Sequence, residues 1–336
     1  MLLVGFRGLT VAAAASTIAD IHDRNLGGVL LFAVDLPTHA ATRNIQSPAQ
    51  LKALITGLQA AARTPLIVAI DEEGGEVARL GPDHGFPSTV SAAALGQRND
   101  PAYTQERGQA IAKTLLSVGV NLNLAPVVDL NVNPENPIIG ALDRSFSANP
   151  AVVTAQALAF IAGHHTERLD CTLKHFPGHG SSTGDTHLGV VDVTHTWSRV
   201  ELEPFANVIS AGQADAVLTA HVFNATLDPL HPATLSEPTV SGILRGELGY
   251  DGVVISDDMQ MGAIRKAYGY TDAVRLAILA GIDVLTIANE QVFEAGIVGR
   301  TIDIIEGLVT GGQVAEGRID ESYRRIMTFK AGLASA

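Results

Sequence analysis

Hydrophobic residues recur along this chain in short continuous runs, and each run is followed by a polar or helical stretch. Eight such runs are present, at positions 2–6, 28–32, 66–70, 120–125, 172–176, 216–220, 252–256 and 282–287. Continuous rather than alternating hydrophobicity indicates strands that are buried on both faces, which is typical of a parallel sheet covered by helices. Eight such units without a Gly-x-Gly-x-x-Gly opening favour an α/β fold of the (β/α)8 TIM-barrel type over a doubly wound sheet.

Helical periodicity fills the intervals between these runs. It predicts helices over 48–63, 101–118, 150–167, 237–248 and 271–280, and two more within 290–332. Several of them begin at helix-start signals, as in Ser47-Pro48, Asn149-Pro150 and Tyr270-Thr271. We therefore expect a single barrel domain that spans residues 1–336.

Composition and charge exclude several classes of protein. Hydrophobic residues make up 46% of the chain and the mean hydropathy is +0.23, which is enough to bury a large core. The 22 basic and 35 acidic residues give a formal charge of −13, so we expect no nucleic acid partner. The single cysteine, Cys171, rules out a disulfide framework within the chain.

The first residues bear on localisation. The run that begins at Leu2 follows Met1 directly, without the layout of a secretory signal, and no apolar run reaches the length of a membrane span. We expect a cytoplasmic protein with no membrane span. The alternative is an exported protein whose leader precedes Met1.

Ionisable side chains follow five of the predicted strands. They are Asp71, Asp129, Lys174 with His175, His221, and Asp257 with Asp258. In a parallel barrel the carboxyl ends of all strands meet at one mouth, so these groups are expected to converge there. A carboxylate at a strand end is well placed as a nucleophile, although spacing alone leaves open whether Asp257 or Asp258 points inward. Arg79 and Arg144 are candidate cationic anchors.

The segment from Lys174 to His187 carries the most distinctive chemistry. It reads Lys-His-Phe-Pro-Gly-His-Gly and continues through a Ser- and Gly-rich loop to Asp185 and His187, and six of the eleven histidines lie between His164 and His195. Such a loop has little packing of its own and can move over a site. Asp185 could fix the tautomer of the His187 imidazole, as a general acid/base requires. A zinc site is the minor alternative, because the first histidine pair lies on a Pro-Gly turn rather than on a helix.

These residues resemble glycoside hydrolase family 3, in its β-N-acetylglucosaminidase branch. The segment 174–187 is similar to the signature of that branch at every constrained position. Further similarity lies at 70–79, 139–146, 219–221 and 249–259, so the resemblance extends over nearly the whole chain.

The resemblance implies a retaining hydrolysis in which Asp257 is the nucleophile and His187 is the acid/base, assisted by Asp185. It also implies sugar-binding positions at Asp71, Arg79, Arg144, Lys174 and His175. The implied substrate is a small carbohydrate that ends in N-acetylglucosamine, a peptidoglycan fragment or a chitooligosaccharide, and no cofactor or metal is expected. Three alternatives remain: a phosphorylase of the same family, a catalytically silent sugar-binding barrel and a metal-dependent hydrolase.

Overall fold

The computed structural model describes residues 1–333 and contains a closed barrel of eight parallel strands in sequential order. The strands are β1 (Leu2–Gly5), β2 (Gly28–Leu31), β3 (Ile67–Ile70), β4 (Leu122–Asn123), β5 (Asp170–Phe176), β6 (Ala216–Thr219), β7 (Val253–Asp258) and β8 (Val284–Ile287). The predicted (β/α)8 fold is therefore confirmed, and each of the eight apolar runs overlaps a barrel strand, although β5 begins two residues before its run and β7 ends two residues after its run. The fourth run is the exception in length, since only two of its residues form ladder pairs.

Helices surround the barrel. They are α1 (Ala15–Arg24), α2 (Pro48–Ala61), α3 (Ala92–Arg98), α4 (Pro101–Val118), α5 (Pro150–Thr166), α6 (Glu203–Ser210), α7 (Gly262–Arg265), α8 (Tyr270–Ala280), α9 (Ile297–Thr310) and α10 (Glu316–Gly332). The helix predicted over 237–248 is a π-helix, Pro238–Glu247. The sequence pattern missed α1, α3, α6 and α7, which are all short and therefore offer few turns of periodicity.

The predicted helix-start signals act as caps at α2 and α5. The Ser47 hydroxyl accepts a hydrogen bond from the Gln50 amide while the Gln50 side chain accepts one from the Ser47 amide. The Asn149 side chain accepts a hydrogen bond from the amide of Ala151. The third signal was wrong by one residue, because α8 begins at Tyr270 and Thr271 lies inside the helix.

Strand residues alternate between the barrel interior and the helix-facing layer. Leu3, Leu30 and Ile255 belong to the cluster inside the barrel, whereas their strand neighbours pack against the helices. Ile326 and Leu333, from α10 and the residue just after it, join the interior cluster. The amino-terminal end of the barrel is thus filled by side chains.

Two strands shift register near their carboxyl ends. Between β5 and β6 the pairing passes from Leu173 with Val217 to Phe176 with Thr219, so β5 uses one more residue than its partner. The same extra residue occurs in β7 against β8, between Ile255 and Asp258. Bulges of this kind redirect side chains, and these two contain or adjoin residues predicted for the site.

A single barrel accounts for the described residues, with two small additional sheets. These sheets pair Glu72–Gly74 with Val77–Ala78 and Val191–Asp192 with Val222–Phe223. Residues 334–336 of the predicted domain lie outside the described part of the chain. Over residues 1–333, no helix is long and apolar enough to cross a membrane.

Candidate active site

A cavity of about 490 Å³ opens at the carboxyl ends of the barrel strands. It is lined by all eight residues predicted for the site, which are Asp71, Arg79, Arg144, Lys174, His175, Asp185, His187 and Asp257. Its floor includes the barrel-interior residues Leu30, Leu124 and Leu218. A larger groove of about 720 Å³ lies beside α10 and the start of β7, but none of the predicted site residues lines it.

Ion pairs between buried and partly buried side chains build one wall of the cavity. The Lys174 ammonium group lies 2.6 Å from Asp71 Oδ1 and 2.6 Å from Glu73 Oε1. Arg144 holds Glu73 through two parallel hydrogen bonds, from Nε to Oε2 at 2.8 Å and from Nη2 to Oε1 at 2.7 Å. Because each buried charge has a counter-charge, the wall retains ionised groups that suit sugar hydroxyls.

The pKa values in this wall follow from those contacts. Burial alone would raise the pKa of Glu73, but Arg144 and Lys174 outweigh burial and lower it to about 2. Burial likewise acts against ionisation of Asp71, and Lys174 and Arg79 hold its pKa below the ordinary value. The Arg144 guanidinium is buried too, yet the Glu73 carboxylate raises its pKa. Glu73, Asp71 and Arg144 are therefore charged near neutral pH.

Asp129 orients the two histidines of the signature. Its buried carboxylate accepts hydrogen bonds from His175 Nδ1 at 2.7 Å, from the His175 amide at 3.2 Å and from the His179 amide at 2.7 Å. His175 Nε2 lies 3.3 Å from Arg144 Nη2. This arrangement fits an imidazole that carries its proton on Nδ1 and accepts a hydrogen bond at Nε2. Burial lowers the pKa of His179 to about 4, so that ring is neutral.

Arg79 reaches the cavity beside Asp71. Its Nη2 atom lies 3.6 Å from Asp71 Oδ2, and its guanidinium lies 5.8 Å from the centre of the Phe32 ring. The buried Glu72 supports this segment by accepting hydrogen bonds from the amides of Arg79 and Leu80, at 2.8 and 2.9 Å. Burial raises the pKa of Glu72 to about 7.

The two adjacent aspartates at the end of β7 have different surroundings. Asp258 accepts hydrogen bonds from the amides of Ala288 and Gln260, and burial raises its pKa to about 7. Asp257 continues the inward-facing positions of Val253 and Ile255. Burial acts against its ionisation, but the imidazoles of His221, His175 and His187 keep its pKa below the ordinary value. Asp257 is thus the ionised carboxylate presented to the cavity.

Asp185 and His187 form a hydrogen-bonded pair on the loop after β5. Asp185 Oδ1 lies 2.7 Å from His187 Nδ1 and accepts a second hydrogen bond from the His187 amide at 2.8 Å. The pair therefore leaves Nε2 of His187 available to a bound molecule. The loop that was predicted to move over the site is docked in this structure, since the Gly262 and Ala263 amides bond to its carbonyl oxygens.

The sequence did not assign a metal site, and the described residues contain no group of three or more His, Cys, Asp or Glu side chains arranged to hold a metal ion. His221 illustrates the reason. Its Nδ1 contacts the Thr234 hydroxyl and its Nε2 contacts the Asp258 carbonyl oxygen, both at 2.9 Å. Both ring nitrogens are therefore already used within the fold.

Sequence reasoning gave no specific role to three carboxylates that contribute to the site, although it expected Asp129 at the barrel mouth. Glu73 and Asp129 follow strand ends, and that position was the available signal. Glu290 follows β8 by three residues and lines the cavity, but it stands alone in an apolar and amide-rich segment. No cluster in the sequence marks it.

The sequence was compared with known proteins. The family model described as "Glycosyl hydrolase family 3 N terminal domain" matches residues 3–329. The β-hexosaminidase of Xylella fastidiosa strain M23 is 39% identical over 298 residues, which cover 87% of this chain and 84% of that protein. β-Hexosaminidase A of Pseudoalteromonas piscicida is 36% identical over 281 residues, 77% of this chain and 45% of that protein.

A solved structure shares the fold. The glycoside hydrolase family 3 β-N-acetylglucosaminidase of Paenibacillus sp. str. FPU-7 superposes with a TM-score of 0.89 at 35% identity, covering 98% of this chain and 61% of that one. This chain thus spans less than two thirds of the Paenibacillus protein and less than half of the Pseudoalteromonas protein. Since the family model covers nearly the whole chain, the chain belongs to glycosyl hydrolase family 3, as its motifs predicted.

Proposed function

We propose that this protein is a retaining β-N-acetylglucosaminidase that removes terminal, non-reducing N-acetylglucosamine from β-linked glycosides. The observation that carries the proposal is that an ionised Asp257 and the His187–Asp185 pair line the same cavity. Its relatives in X. fastidiosa and Paenibacillus are called β-hexosaminidase and β-N-acetylglucosaminidase, which supports the substrate class.

The shape of the cavity supports attack on a chain end. A volume of about 490 Å³ falls within the range of about 300–1,000 Å³ that is usual for small-molecule sites. The floor of apolar barrel residues closes the inner end of the cavity. A glycan chain therefore cannot pass through, and only its terminal sugar can enter. The paired charges of Asp71, Lys174 and Arg144 offer acceptors and donors to the hydroxyl groups of that sugar.

The proposed reaction has two displacements. In the first, an Asp257 carboxylate oxygen attacks the anomeric carbon while the bond to the leaving oxygen breaks, and His187 Nε2 gives that oxygen a proton. In the second, His187 takes a proton from water, whose oxygen displaces Asp257 from the anomeric carbon. The Asp185 carboxylate holds Nδ1–H and stabilises the imidazolium before the first step and after the second.

A histidine in this role differs from the carboxylic acid of most retaining glycosidases. An imidazole adds no second negative charge beside the Asp257 nucleophile. It also leaves the acceptor position open to an anion, so a phosphorylase of the same family is the alternative to be tested. The same experiment tests a catalytically silent barrel.

The test measures cleavage of 4-nitrophenyl N-acetyl-β-glucosaminide and of the matching β-glucoside by wild type, Asp257→Ala and His187→Ala. We expect activity on the N-acetyl substrate alone, abolished by Asp257→Ala. The rate of cleavage by His187→Ala should be about 10²- to 10⁴-fold lower than that of wild type with a natural leaving group. The loss should be smaller with the activated leaving group, which needs little protonation. Glu306→Gln, on the exposed face of α9, is the matched control.

Product analysis tests the remaining parts of the proposal. Proton NMR of the first product should show the β-anomer if the reaction retains configuration. Chitobiose and a peptidoglycan disaccharide compare the two natural leaving groups. Formation of sugar 1-phosphate in phosphate buffer would favour the phosphorylase, and an inactive wild type would favour the silent barrel.

A further inference from the structure

Among the carboxylates that line the cavity, Glu290 is partly buried and has no hydrogen-bond or ion-pair partner among the described residues. Its side chain lines the cavity with the predicted site residues. Asp71, Asp185, Asp257 and Asp258 in the same cavity each accept at least one hydrogen bond from the protein, and Glu76, which also lines it, is exposed to solvent. We propose that Glu290 is a further substrate-binding residue, which accepts a hydrogen bond from a hydroxyl group of the terminal sugar.

The backbone before Glu290 is held in an unusual conformation. Asn289 has a φ of 51°, in the left-handed region that few residues other than glycine adopt. Its side chain donates to the Gly5 carbonyl oxygen at 3.1 Å and accepts from Glu294, and its amide donates to Gln260 at 2.8 Å. Such a conformation persists where surrounding contacts over-determine it, and functional sites are a common place for this.

Neighbouring segments also hold the backbone of Ala288 and Asn289 in place. Arg43 is buried and its guanidinium donates to the carbonyl oxygens of Phe6, Ala288 and Asn289 at 2.8–3.1 Å. Close packing requires glycine at position 5, because an added Cβ would lie 1.8 Å from the Ala288 carbonyl oxygen. The ends of β1 and β8 and the loop after β2 thus fix the direction of Glu290.

The charges around Glu290 place it at the sugar-binding wall. Arg79, Asp71, His187 and Arg43 are the charged or titratable groups that act on its carboxyl, and burial, the largest influence, raises its pKa. Arg79 and Asp71 are the proposed sugar-binding residues, whereas His187 is the proposed acid/base. Glu290 therefore lines the cavity close to both the proposed sugar-binding residues and the proposed acid/base. A carboxylate in this position accepts hydrogen bonds and has no donor, so it selects for hydroxyl groups.

The inference rests on the proposed function for its substrate. It is tested with a set of activated N-acetyl-β-glucosaminides that lack the 3-, 4- or 6-hydroxyl group, each assayed with wild type and Glu290→Ala. With wild type, loss of the partner hydroxyl should lower kcat/KM by about 10- to 100-fold. With Glu290→Ala, kcat/KM for the parent substrate should fall by a similar factor. Removing the partner hydroxyl group from the substrate should then lower kcat/KM of this variant little further.

Two further variants separate binding from folding. Glu290→Gln keeps one acceptor oxygen and should recover part of the loss. Glu306→Gln should behave as wild type. Because Glu290 has no protein partner among the described residues, Glu290→Ala should melt at the wild-type temperature. The proposal would be overturned if each deoxy substitution lowered kcat/KM, relative to the parent substrate, by the same factor in wild type and in Glu290→Ala.

Calorimetric binding of free N-acetylglucosamine distinguishes this proposal from the proposed function. A wild type that cleaves no substrate would contradict the proposed function, whereas weaker sugar binding by Glu290→Ala would still support the role of Glu290. Unchanged sugar affinity in Glu290→Ala would overturn the role of Glu290 even if hydrolysis is observed.

Discussion

The amide group of Gly262 donates a hydrogen bond to the carbonyl oxygen of His187, with an N···O distance of 3.1 Å. Gly262 is the first residue of α7, shortly after the strand that carries Asp257. The next amide, that of Ala263, bonds to the Thr186 carbonyl oxygen at 3.1 Å. The candidate acid/base loop is thus attached to the segment that follows the candidate nucleophile.

This attachment predicts a specific effect of Gly262→Ala. An added Cβ would lie 2.6 Å from the His187 carbonyl oxygen and 2.7 Å from the Leu188 carbonyl carbon, so the loop must shift. A displacement of about 1 Å in a catalytic group lowers rates by up to about 100-fold. We expect kcat to fall for a natural disaccharide and to change less for the activated aryl substrate.

Gly317→Ala is the control for Gly262→Ala, because nothing lies within 4 Å of an added Cβ there. Circular dichroism melting should show both variants folded. If Gly262→Ala retains wild-type kcat with the disaccharide, the attachment does not position His187.

A second prediction concerns Asp129, the acceptor for both histidines of the signature. In wild type, one carboxylate oxygen of Asp129 accepts a hydrogen bond from His175 Nδ1 and the other accepts one from the His179 amide. In Asp129→Asn an amide NH2 group replaces one of these oxygens, so one of the two buried donors loses its acceptor. We expect a loss of about 2 kcal/mol in the free energy of unfolding and a higher KM, because His175 loses its orientation. Urea unfolding and steady-state kinetics measure the two effects. Asp83→Asn, at an exposed position, serves as the control, and a variant as stable as wild type would contradict this role.

A third prediction is that chelation leaves activity unchanged. The Nδ1 atoms of His175 and His187 are paired with carboxylates, and His221 uses both ring nitrogens within the fold. At His221 a metal would have to displace these contacts, and the described residues contain no group of three or more His, Cys, Asp or Glu side chains arranged to hold a metal ion. Enzyme dialysed against EDTA should match untreated enzyme. A loss that zinc restores would instead support the metal-dependent alternative.

The barrel could be predicted from the sequence because each strand is a continuous apolar run, and burial on both faces leaves that pattern. The length of β4, in contrast, could not be predicted from its apolar run. The run 120–125 is fully buried, yet only Leu122–Asn123 pairs in the ladder, since burial and strand pairing are separate properties. Helix α1 was missed because the sequence signals for it are weak: Ala14 supplies no side-chain cap, and the helix is short.

The site was predictable as far as strand ends and the signature reach. The orientation of Asp257 relative to Asp258 was left open by spacing, and the structure distinguishes them by the amides of Ala288 and Gln260, which hold Asp258. Glu290 could not be found in the sequence. Its direction depends on the left-handed backbone of Asn289, which residues distant along the chain impose.

The last prediction concerns the pH dependence of stability at His164. This imidazole is buried, with Nδ1 3.1 Å from the Phe160 carbonyl oxygen and Nε2 3.1 Å from Asn123 Nδ2. Burial lowers its pKa to about 4 from 6.5. Below pH 6.5 the unfolded chain therefore binds a proton that the folded chain does not bind until about pH 4. The stability contributed by neutral His164 is complete above pH 6.5 and is lost as the pH falls through that window, at about 1.4 kcal/mol per pH unit.

Wild type and His164→Leu can be compared by urea unfolding at pH 4.5, 5.5, 6.5 and 7.5. Because His179, whose pKa is also lowered, is present in both proteins, its effect cancels in the difference. The variant loses the hydrogen bonds to Phe160 and Asn123, so wild type should be the more stable protein at pH 7.5. That advantage should shrink steadily from pH 6.5 to 4.5, because only wild type carries the His164 proton penalty. A difference that stays constant across this range would mean that His164 does not resist protonation in the fold.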